Sequence, residues 1–309
     1  MGDSNPDDAP IDYMARTHAW YGALGYGAPY RYARHDDAPF TPLAKPLSAC
    51  RVALLTTAAP YRADKGNQGA GAPYNAGAKF YEVYSGATAA DHDLRVSHVA
   101  VDQAHLSDDQ NCWFPLPALR RAAEAGRIAG LTARFHGVPT NRSQRHTVDV
   151  DAPEVVRRCR EDAADVAVLV PNCPVCHQTM TLVARGLEAA GVPTVVMGAA
   201  KDIVEHGGAP RFLFSDVPLG NAAGLPYDVV SQDRTLALAL RTLEAATGPR
   251  ITVRNPLVWP GPAGWRRDYL NLATLSPATI AERRAENERA REVAQAVRDA
   301  TLAGDQAAK

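Results

Sequence analysis

The amino-acid sequence predicts an α/β fold with two Rossmann-like lobes, mainly parallel sheets, an aromatic N-terminal arm and a C-terminal helix. Apolar runs typical of buried strands alternate with amphipathic helix patterns over residues 51–247, as in parallel sheets that are covered on both faces. A polar stretch at residues 137–150 interrupts this alternation. We therefore predict an arm over residues 1–45, a first lobe over 46–147, a second lobe over 148–250, and an extension with a helix over 251–309.

Each predicted element rests on a local pattern. The arm has many aromatic residues among glycines and prolines, which suits rings packed on its own core or on a partner subunit. The predicted elements of the first lobe are strands at 51–57 and 93–100, a helix at 115–125, and a turn into a strand at 126–132. Those of the second lobe are strands at 166–170, 193–197 and 211–214 and helices at 152–162, 179–190, 202–206 and 231–246. A long charged helix is predicted at 276–300.

Composition excludes several classes of protein. The chain has 309 residues, of which 46% are hydrophobic and 22% charged, with a net charge of −1; this balance is ordinary for a soluble globular protein and gives no basic field for nucleic acid. No apolar run has the length of a membrane span. The acidic start, MGDSNPDDAPIDYMA, is unlike a signal peptide. We therefore expect a cytoplasmic protein with reduced cysteines and no membrane or nucleic-acid partner.

The second lobe contains the most informative stretch, VAVLVPNCPVCHQTMTLVARGLEAA at residues 166–190. A buried strand runs through a short loop into a helix, which places Cys173, Cys176 and His177 at the carboxyl edge of the sheet. A cysteine at a helix N-terminus has its thiolate stabilised by the helix dipole and by free N–H groups. We therefore expect Cys173 to attack a substrate and Cys176 to resolve the adduct as a disulfide. The alternative is that both thiols are packing residues.

The CPVCH motif is also compatible with other kinds of chemistry. CPVCH matches the haem-attachment pattern CxxCH, but that modification requires export, for which the N-terminus gives no signal. Zinc or iron is the stronger alternative, with Cys173, Cys176 and His177 joined by His98 or His136 as ligands. No GxGxxG pattern follows the strand at 51–57, so neither NAD nor a flavin is predicted. The five cysteines are too few and too unevenly spaced for a disulfide scaffold, and we interpret Cys50, Cys112 and Cys159 as packing residues.

Further polar residues are predicted at the same edge of the sheet. His98 is expected to be a proton donor that Asp102 orients, with a buried structural histidine as the alternative interpretation. Substrate contacts are predicted from the loops that follow the strands, with a carboxylate or other anion held by the backbone after the first strand. The residues predicted to bind substrate are Thr56, Thr57, Asn172, His177 and His136.

Several motifs resemble the family of glycine, sarcosine and betaine reductase component B, which includes the D-proline reductase selenoprotein subunit. The segments that carry this resemblance keep the family's order over residues 20–245: LLTTA at 54–58, DLRVSH at 93–98, FPLPAL at 114–119, GRIAG at 126–130, VPNCPVCHQTM at 170–180, GVPTV at 191–195, PRFLF at 210–214 and PLG at 218–220. The resemblance implies an α/β fold and reductive cleavage by a thiol or selenol.

The resemblance also implies a mechanism shared between subunits. In the family, a pyruvoyl group on a partner subunit activates a substrate amine, and a selenocysteine takes the carbon. This chain has only cysteines at the cluster, so we expect it to cleave a bond weaker than an unactivated C–N bond, such as C–S, N–O or C–halogen.

The combined hypothesis is a thiol-dependent oxidoreductase that cleaves a small substrate bearing a carboxylate or an amine. A thiol reductant system would reduce the Cys173–Cys176 pair again. One alternative is a zinc or iron metalloenzyme with hydrolytic or lyase chemistry. Another is a subunit of a hetero-oligomeric reductase that is not active alone. A homo-oligomer is also expected.

Overall fold

The apolar runs form the strands of one continuous sheet. The computed structural model describes residues 9–25, 30–69, 71–72, 74–96, 98, 101, 106, 108–140 and 143–307. The strands are β1 (Arg51–Thr56), β2 (Ala59–Pro60), β3 (Tyr84–Ala87), β4 (Leu94–Arg95), β5 (Gly130–Leu131), β6 (Arg134–Gly137), β7 (Val166–Val170), β8 (Thr194–Gly198), β9 (Arg211–Phe214) and β10 (Ile251–Arg254). In the described part of the chain the main sheet has eight strands in the order β10-β9-β8-β7-β1-β6-β3, with β5 also beside β1.

Helices connect and cover the strands. They are α1 (Tyr13–Ala23), α2 (Leu116–Glu124), α3 (Gln144–His146), α4 (Ala152–Glu161), α5 (Pro174–Ala189), α6 (Lys201–His206), α7 (Val229–Ala245), α8 (Trp265–Asp268) and α9 (Pro277–Ala307). A π-helical turn at Thr147–Asp151 leads into α4, and short 3₁₀ turns lie at Leu47–Ala49, Ala63–Lys65, Ala76–Ala78, Gln110–Cys112 and Leu272–Thr274.

The predicted α/β class with a mainly parallel sheet is confirmed. Every pairing in the main sheet is parallel except that of β3 with β6. The strands assigned to two lobes lie in one sheet, because β1 pairs with β7 along its length, from Val52 opposite Val166 to Thr56 opposite Val170. The domain boundaries proposed from the sequence stay predictions. The long C-terminal helix is also confirmed, although it extends to residue 307.

Three local predictions differ from the structure. The arm begins with a helix, α1, whose buried positions Tyr13, Thr17, Trp20 and Tyr21 recur at helical spacing; the surrounding glycines and prolines obscured this period. Among the described residues of the strand predicted at 93–100, Leu94–Arg95 form the two-residue β4, which pairs with β2 outside the main sheet. No strand is predicted between residue 132 and the polar stretch at 137–150, but the structure has the short strand β6 at Arg134–Gly137, which pairs with β1 and contains His136.

The aromatic arm packs on its own chain. The backbone N–H of Ala33 donates to Gln178 on α5 (2.6 Å), and that of Thr41 donates to Glu188 at the end of α5 (2.6 Å). Glu188 also accepts from Arg211 on β9 at 2.6 Å, and both side chains are fully buried. Burial raises the pKa of Glu188 and lowers that of Arg211. Desolvation therefore offsets much of the attraction within this pair.

Truncation of one member of the buried pair should destabilise the fold far more than loss of a surface pair. Arg211→Met leaves Glu188 charged without its partner, and we expect a loss of about 3–5 kcal/mol in the free energy of unfolding. The matched control, Arg121→Met, removes a half-exposed pair with Asp233 and should cost less than about 1 kcal/mol. Denaturant titration measures both variants.

The double variant Glu188→Leu with Arg211→Met removes both charges from the interior. We expect it to be more stable than Arg211→Met alone, because no unpaired charge stays buried. If Arg211→Met were no more destabilising than Arg121→Met, the buried pair would not stabilise the arm against α5 and β9.

Candidate active site at the carboxyl edge of the sheet

The loop from β7 to α5 contains the Cys-x-x-Cys pair. The apolar run of β7 ends at Val170, and α5 begins at Pro174, where a proline suits the first turn because its missing N–H needs no partner. Cys173 is the N-cap residue, and its Sγ accepts from the backbone N–H of Cys176 at 3.3 Å. The helix therefore begins at the motif itself, five residues before the predicted start.

The two thiols lie in contact. Cys173 and Cys176 are both free cysteines, and their Sγ atoms are 2.7 Å apart. A disulfide bond is about 2.0 Å long, so a small shift of either sulfur closes the pair. Cys176 is fully buried, whereas Cys173 is 5% exposed. The arrangement is suited to reversible oxidation between a dithiol and a disulfide.

Three groups that can donate a hydrogen bond surround Cys176. Its Sγ is 3.1 Å from Nδ1 of His98 and 3.2 Å from Oγ1 of Thr140, in addition to the contact with Cys173. Burial by itself raises the pKa of Cys176. The hydrogen bond from Cys173, the charge of His98 and the hydrogen bonds from His98 and Thr140 together outweigh burial and hold that pKa well below its usual value. This environment favours a thiolate at Cys176.

His177 connects the motif to the neighbouring strand. Its Nδ1 donates to the carbonyl of Cys173 at 2.7 Å, and its Nε2 accepts from the N–H of Ala199, just after β8, at 2.9 Å. Burial lowers its pKa to about 4, so the ring stays neutral. A Cβ at Gly198 would lie 2.7 Å from the ring, so the ring fits only because this residue is glycine. With both ring nitrogens bonded to backbone, His177 is a structural bridge.

The residues predicted at the end of β1 lie behind the thiols and are fully buried. Oγ1 of Thr57 accepts from both the backbone and the side-chain N–H groups of Asn172 at 3.2 Å. Oγ1 of Thr56 accepts from the N–H of Ala58. In the described residues, the buried Oδ1 of Asn172 has no hydrogen-bond partner, so Asn172 retains one acceptor for another group.

His136 is not brought to the thiols. It lies in β6, its Nδ1 is 2.9 Å from Oγ of Ser85, and its Nε2 is 3.3 Å from the carboxylate of Asp162, which follows α4. Burial lowers its pKa to about 4. The physical reason is strand alternation: Phe135 packs in the same core cluster as Cys173 and Cys176, so the next residue along the strand points to the other face.

Two further residues complete the comparison with the predicted site. Asp102, the predicted partner of His98, lies outside the described residues. Thr140 was missed because its segment was interpreted as a linker. It follows β6, and the carboxyl ends of parallel strands meet at one edge. Identification of β6 as a neighbour of β1 would have placed Thr140 beside Cys176.

The cluster also has the composition of a metal site. Within the described chain, His98, Cys173 and Cys176 each offer a ligand atom, and these atoms lie within 4.8 Å of one another. Tetrahedral zinc with bonds of about 2.3 Å to sulfur separates two thiolates by about 3.8 Å. The sulfurs are 2.7 Å apart and would have to separate by about 1 Å. The donor atoms suit zinc, whereas their spacing suits a dithiol better.

Comparisons with known proteins identify relatives among subunits of amino-acid reductases. The D-proline reductase subunit gamma of Acetoanaerobium sticklandii is 30% identical over 207 residues, which cover 66% of this chain and 82% of that protein. The glycine reductase complex component B subunit gamma of Symbiobacterium thermophilum is 25% identical over 233 residues, which cover 72% of this chain and 52% of that protein. No family model and no solved structure matches the chain.

The described helices include none that is both long enough and apolar enough to cross a bilayer.

The match to the D-proline reductase subunit includes most of that protein, and the name of this relative agrees with the family that the sequence motifs resemble. The chain therefore belongs to the reductase component B-like family, whose members include subunits of amino-acid reductase complexes.

Proposed function

We propose that this chain is the thiol-bearing subunit of a reductase and that the Cys173–Cys176 pair cleaves its substrate reductively. The observation that carries the proposal is the contact of the two sulfurs, 2.7 Å apart, with three donors converging on Cys176. Burial without such donors would keep both thiols protonated and unreactive. The family relationship supports reductase chemistry at this site.

The roles of the two sulfurs follow from their surroundings. The sequence pattern assigns the attack to Cys173, because this residue is at the start of the helix. The donors around Cys176 support the reverse order. We therefore assign the attack to the thiolate of Cys176 and the resolution of the adduct to Cys173.

The proposed reaction proceeds in two steps. Cys176 attacks the substrate carbon, an S–C bond forms, and the leaving group departs with its electron pair and takes a proton from His98. Cys173 then loses its proton and attacks Sγ of Cys176. The S–S bond forms, the S–C bond breaks, and the released carbon takes a proton. The substrate gains two electrons and two protons, and an external thiol reductant returns the disulfide to the dithiol.

The remaining assignments concern substrate and partners. The free acceptor of Asn172 and the backbone after β1 suit a small substrate with an amine or carboxylate. Both relatives are named as subunits of larger reductases. We therefore propose that this chain also acts with a partner subunit, with copies of itself in the assembly. Neither NAD nor a flavin is required by the dithiol chemistry.

Replacement of either cysteine should stop the reaction at a different step. The reduced protein is incubated with D-proline, glycine and analogues with C–S, N–O or C–halogen bonds, with and without the partner subunits. Cys176→Ser should prevent attack, and Cys173→Ser should leave a substrate thioether on Cys176 that intact-mass spectrometry detects. Both variants should lose turnover by about three orders of magnitude or more.

Cys50→Ser is the matched control, because Cys50 is buried and its Sγ contacts the backbone carbonyls of Lys45 and Pro46 in the described chain. It should keep wild-type turnover. Full activity in both Cys173→Ser and Cys176→Ser would refute the proposed dithiol function.

Thr140 should lower the pKa of the attacking thiol through its hydroxyl. Thr140→Val removes one donor to the thiolate, so the pKa of Cys176 should rise, and the pH at which Cys176 is half-alkylated by iodoacetamide should move upward by about one to two units. Thr140→Ser keeps the hydroxyl and should retain the wild-type midpoint. Equal midpoints in all three proteins would contradict this role for Thr140.

A metalloenzyme is the second candidate, and the cluster of His98, Cys173 and Cys176 is the observation that favours it. Elemental analysis of protein purified without added metal separates the two functions. We expect less than about 0.1 equivalent of zinc or iron, with two additional thiols titrating after reduction. About one equivalent of metal that is lost in Cys173→Ser would favour the metal site instead.

A further inference from the structure

His98 lines a large cavity. It has a volume of about 590 Å³, and its walls come from α1, from residues 268–275 and from α9. This volume is in the range of about 300–1,000 Å³ that sites for drug-sized ligands occupy. The cavity therefore accommodates a molecule considerably larger than the small substrates expected from the sequence.

One wall of the cavity is apolar. Trp20 of α1 and Leu24, which follows α1, pack against Leu270 and Leu275 of the C-terminal extension. Leu270 has a φ of 55°, in the left-handed region that branched and bulky residues rarely adopt. Such a conformation persists only where the surrounding packing imposes it. This wall is suited to the aromatic or branched apolar body of a ligand.

Charged residues of α8 and α9 also line the cavity. Arg283 and Arg289 of α9 both line the cavity, and the guanidinium of Arg283 lies over the Trp20 ring at 5.5 Å from its centroid. Two acidic residues also line it: Asp268 forms an ion pair with Arg267 at 3.0 Å, and Glu286 lies between the arginines on α9. Because Arg267 offsets the charge of Asp268, the two arginines and Glu286 have a net charge of +1, which favours the binding of an anionic group.

His98 connects this cavity to the dithiol. Its ring lines the cavity, and its Nδ1 is 3.1 Å from Sγ of Cys176. It also lines, with Thr140, a small crevice on the thiol side. A ligand that fills the cavity therefore has one end at the α9 arginines and the other at the residue that contacts the attacking sulfur.

We propose that this cavity extends the substrate site beyond the reactive end that Asn172 and the backbone after β1 bind, and that the substrate has an aromatic or branched apolar body with an anionic group. The inference rests on the proposed dithiol function, and it adds the class of substrate. In this arrangement Arg283 and Arg289 hold the anionic group, the Trp20 wall holds the apolar body, and the reducible bond lies at His98.

The probe for this inference is 5,5′-dithiobis(2-nitrobenzoate), an aromatic disulfide with carboxylates. The thiolate of Cys176 attacks its S–S bond and releases one thionitrobenzoate with the electron pair. Cys173 then gives up its proton to solvent, attacks the mixed disulfide and releases the second. Two electrons pass from the dithiol to the probe, and the absorbance of thionitrobenzoate reports each step. The Cys173→Ser, Cys176→Ser double variant gives the background.

We expect the rate with this probe to saturate, because it binds in the cavity before it reacts. Arg283→Gln and Arg289→Gln should each raise the half-saturating concentration about tenfold, which corresponds to loss of one charge-assisted contact. Arg241→Gln, at an exposed position on α7, is the matched control and should change it less than twofold. Methyl methanethiosulfonate, which is small and neutral, should react without saturation and at equal rates in all variants.

A cavity-filling variant tests the site independently of charge. Ala290 lines the cavity on α9, and Ala290→Trp should abolish saturation by the aromatic probe while the rate with methyl methanethiosulfonate stays within twofold. Thermal melting checks that the variant is folded. Linear kinetics in the wild type, or arginine variants that behave like Arg241→Gln, would overturn the inference. The proposed function would be unaffected by that result, because it depends on the cysteine variants with the reductase substrates.

Discussion

The parallel pairing of β1 with β6 on one side and β7 on the other is the constraint on which the site depends. It brings the loops after three strands to the same edge, because parallel strands all end on one side of the sheet. Thr57 comes from the first loop, Thr140 from the second and the cysteine pair from the third. Residues that are far apart in the chain therefore meet without a dedicated binding domain.

Burial and hydrogen bonding have opposite effects on the cysteine pair. Removal of a thiol from water favours its neutral form, whereas donors aimed at the sulfur favour the thiolate. At Cys176 the donors prevail. His177 holds the loop in place through two backbone bonds and is kept neutral by its own burial. Cys176 and His177 are adjacent, yet their pKa values fall for different reasons: hydrogen bonds and the charge of His98 outweigh burial at Cys176, whereas burial itself lowers the pKa of His177.

The two chain termini build the surroundings of the site. The N-terminal arm follows α5 and is tied to it through Gln178 and Glu188. Helix α9 packs against the end of α1, where Asn287 donates to the carbonyl of Leu24 and Arg284 to that of Ala23. Residues of α1 and α9 line the cavity that His98 also lines.

The sequence by itself determined the α/β class, the reductase family and the central strand-loop-helix with its two cysteines. Those features are local. An apolar run, a proline at the start of a helix and the residues of a motif can be recognised without knowing which distant segments pack beside them. The same local reasoning was less successful where the pattern was short or interrupted, as in α1, β4 and β6. A strand of four residues such as β6 carries too little periodicity to be distinguished from a linker.

Only the tertiary structure decided which residues surround the thiols. His98 and Thr140 reach Cys176, whereas His136 is turned to the other face by strand alternation. It also decided that both groups of strands form one sheet, that His177 is a backbone bridge and that a cavity opens at His98. The physical reason is that strand order and the direction of each side chain depend on pairing between distant segments, which composition and spacing do not specify.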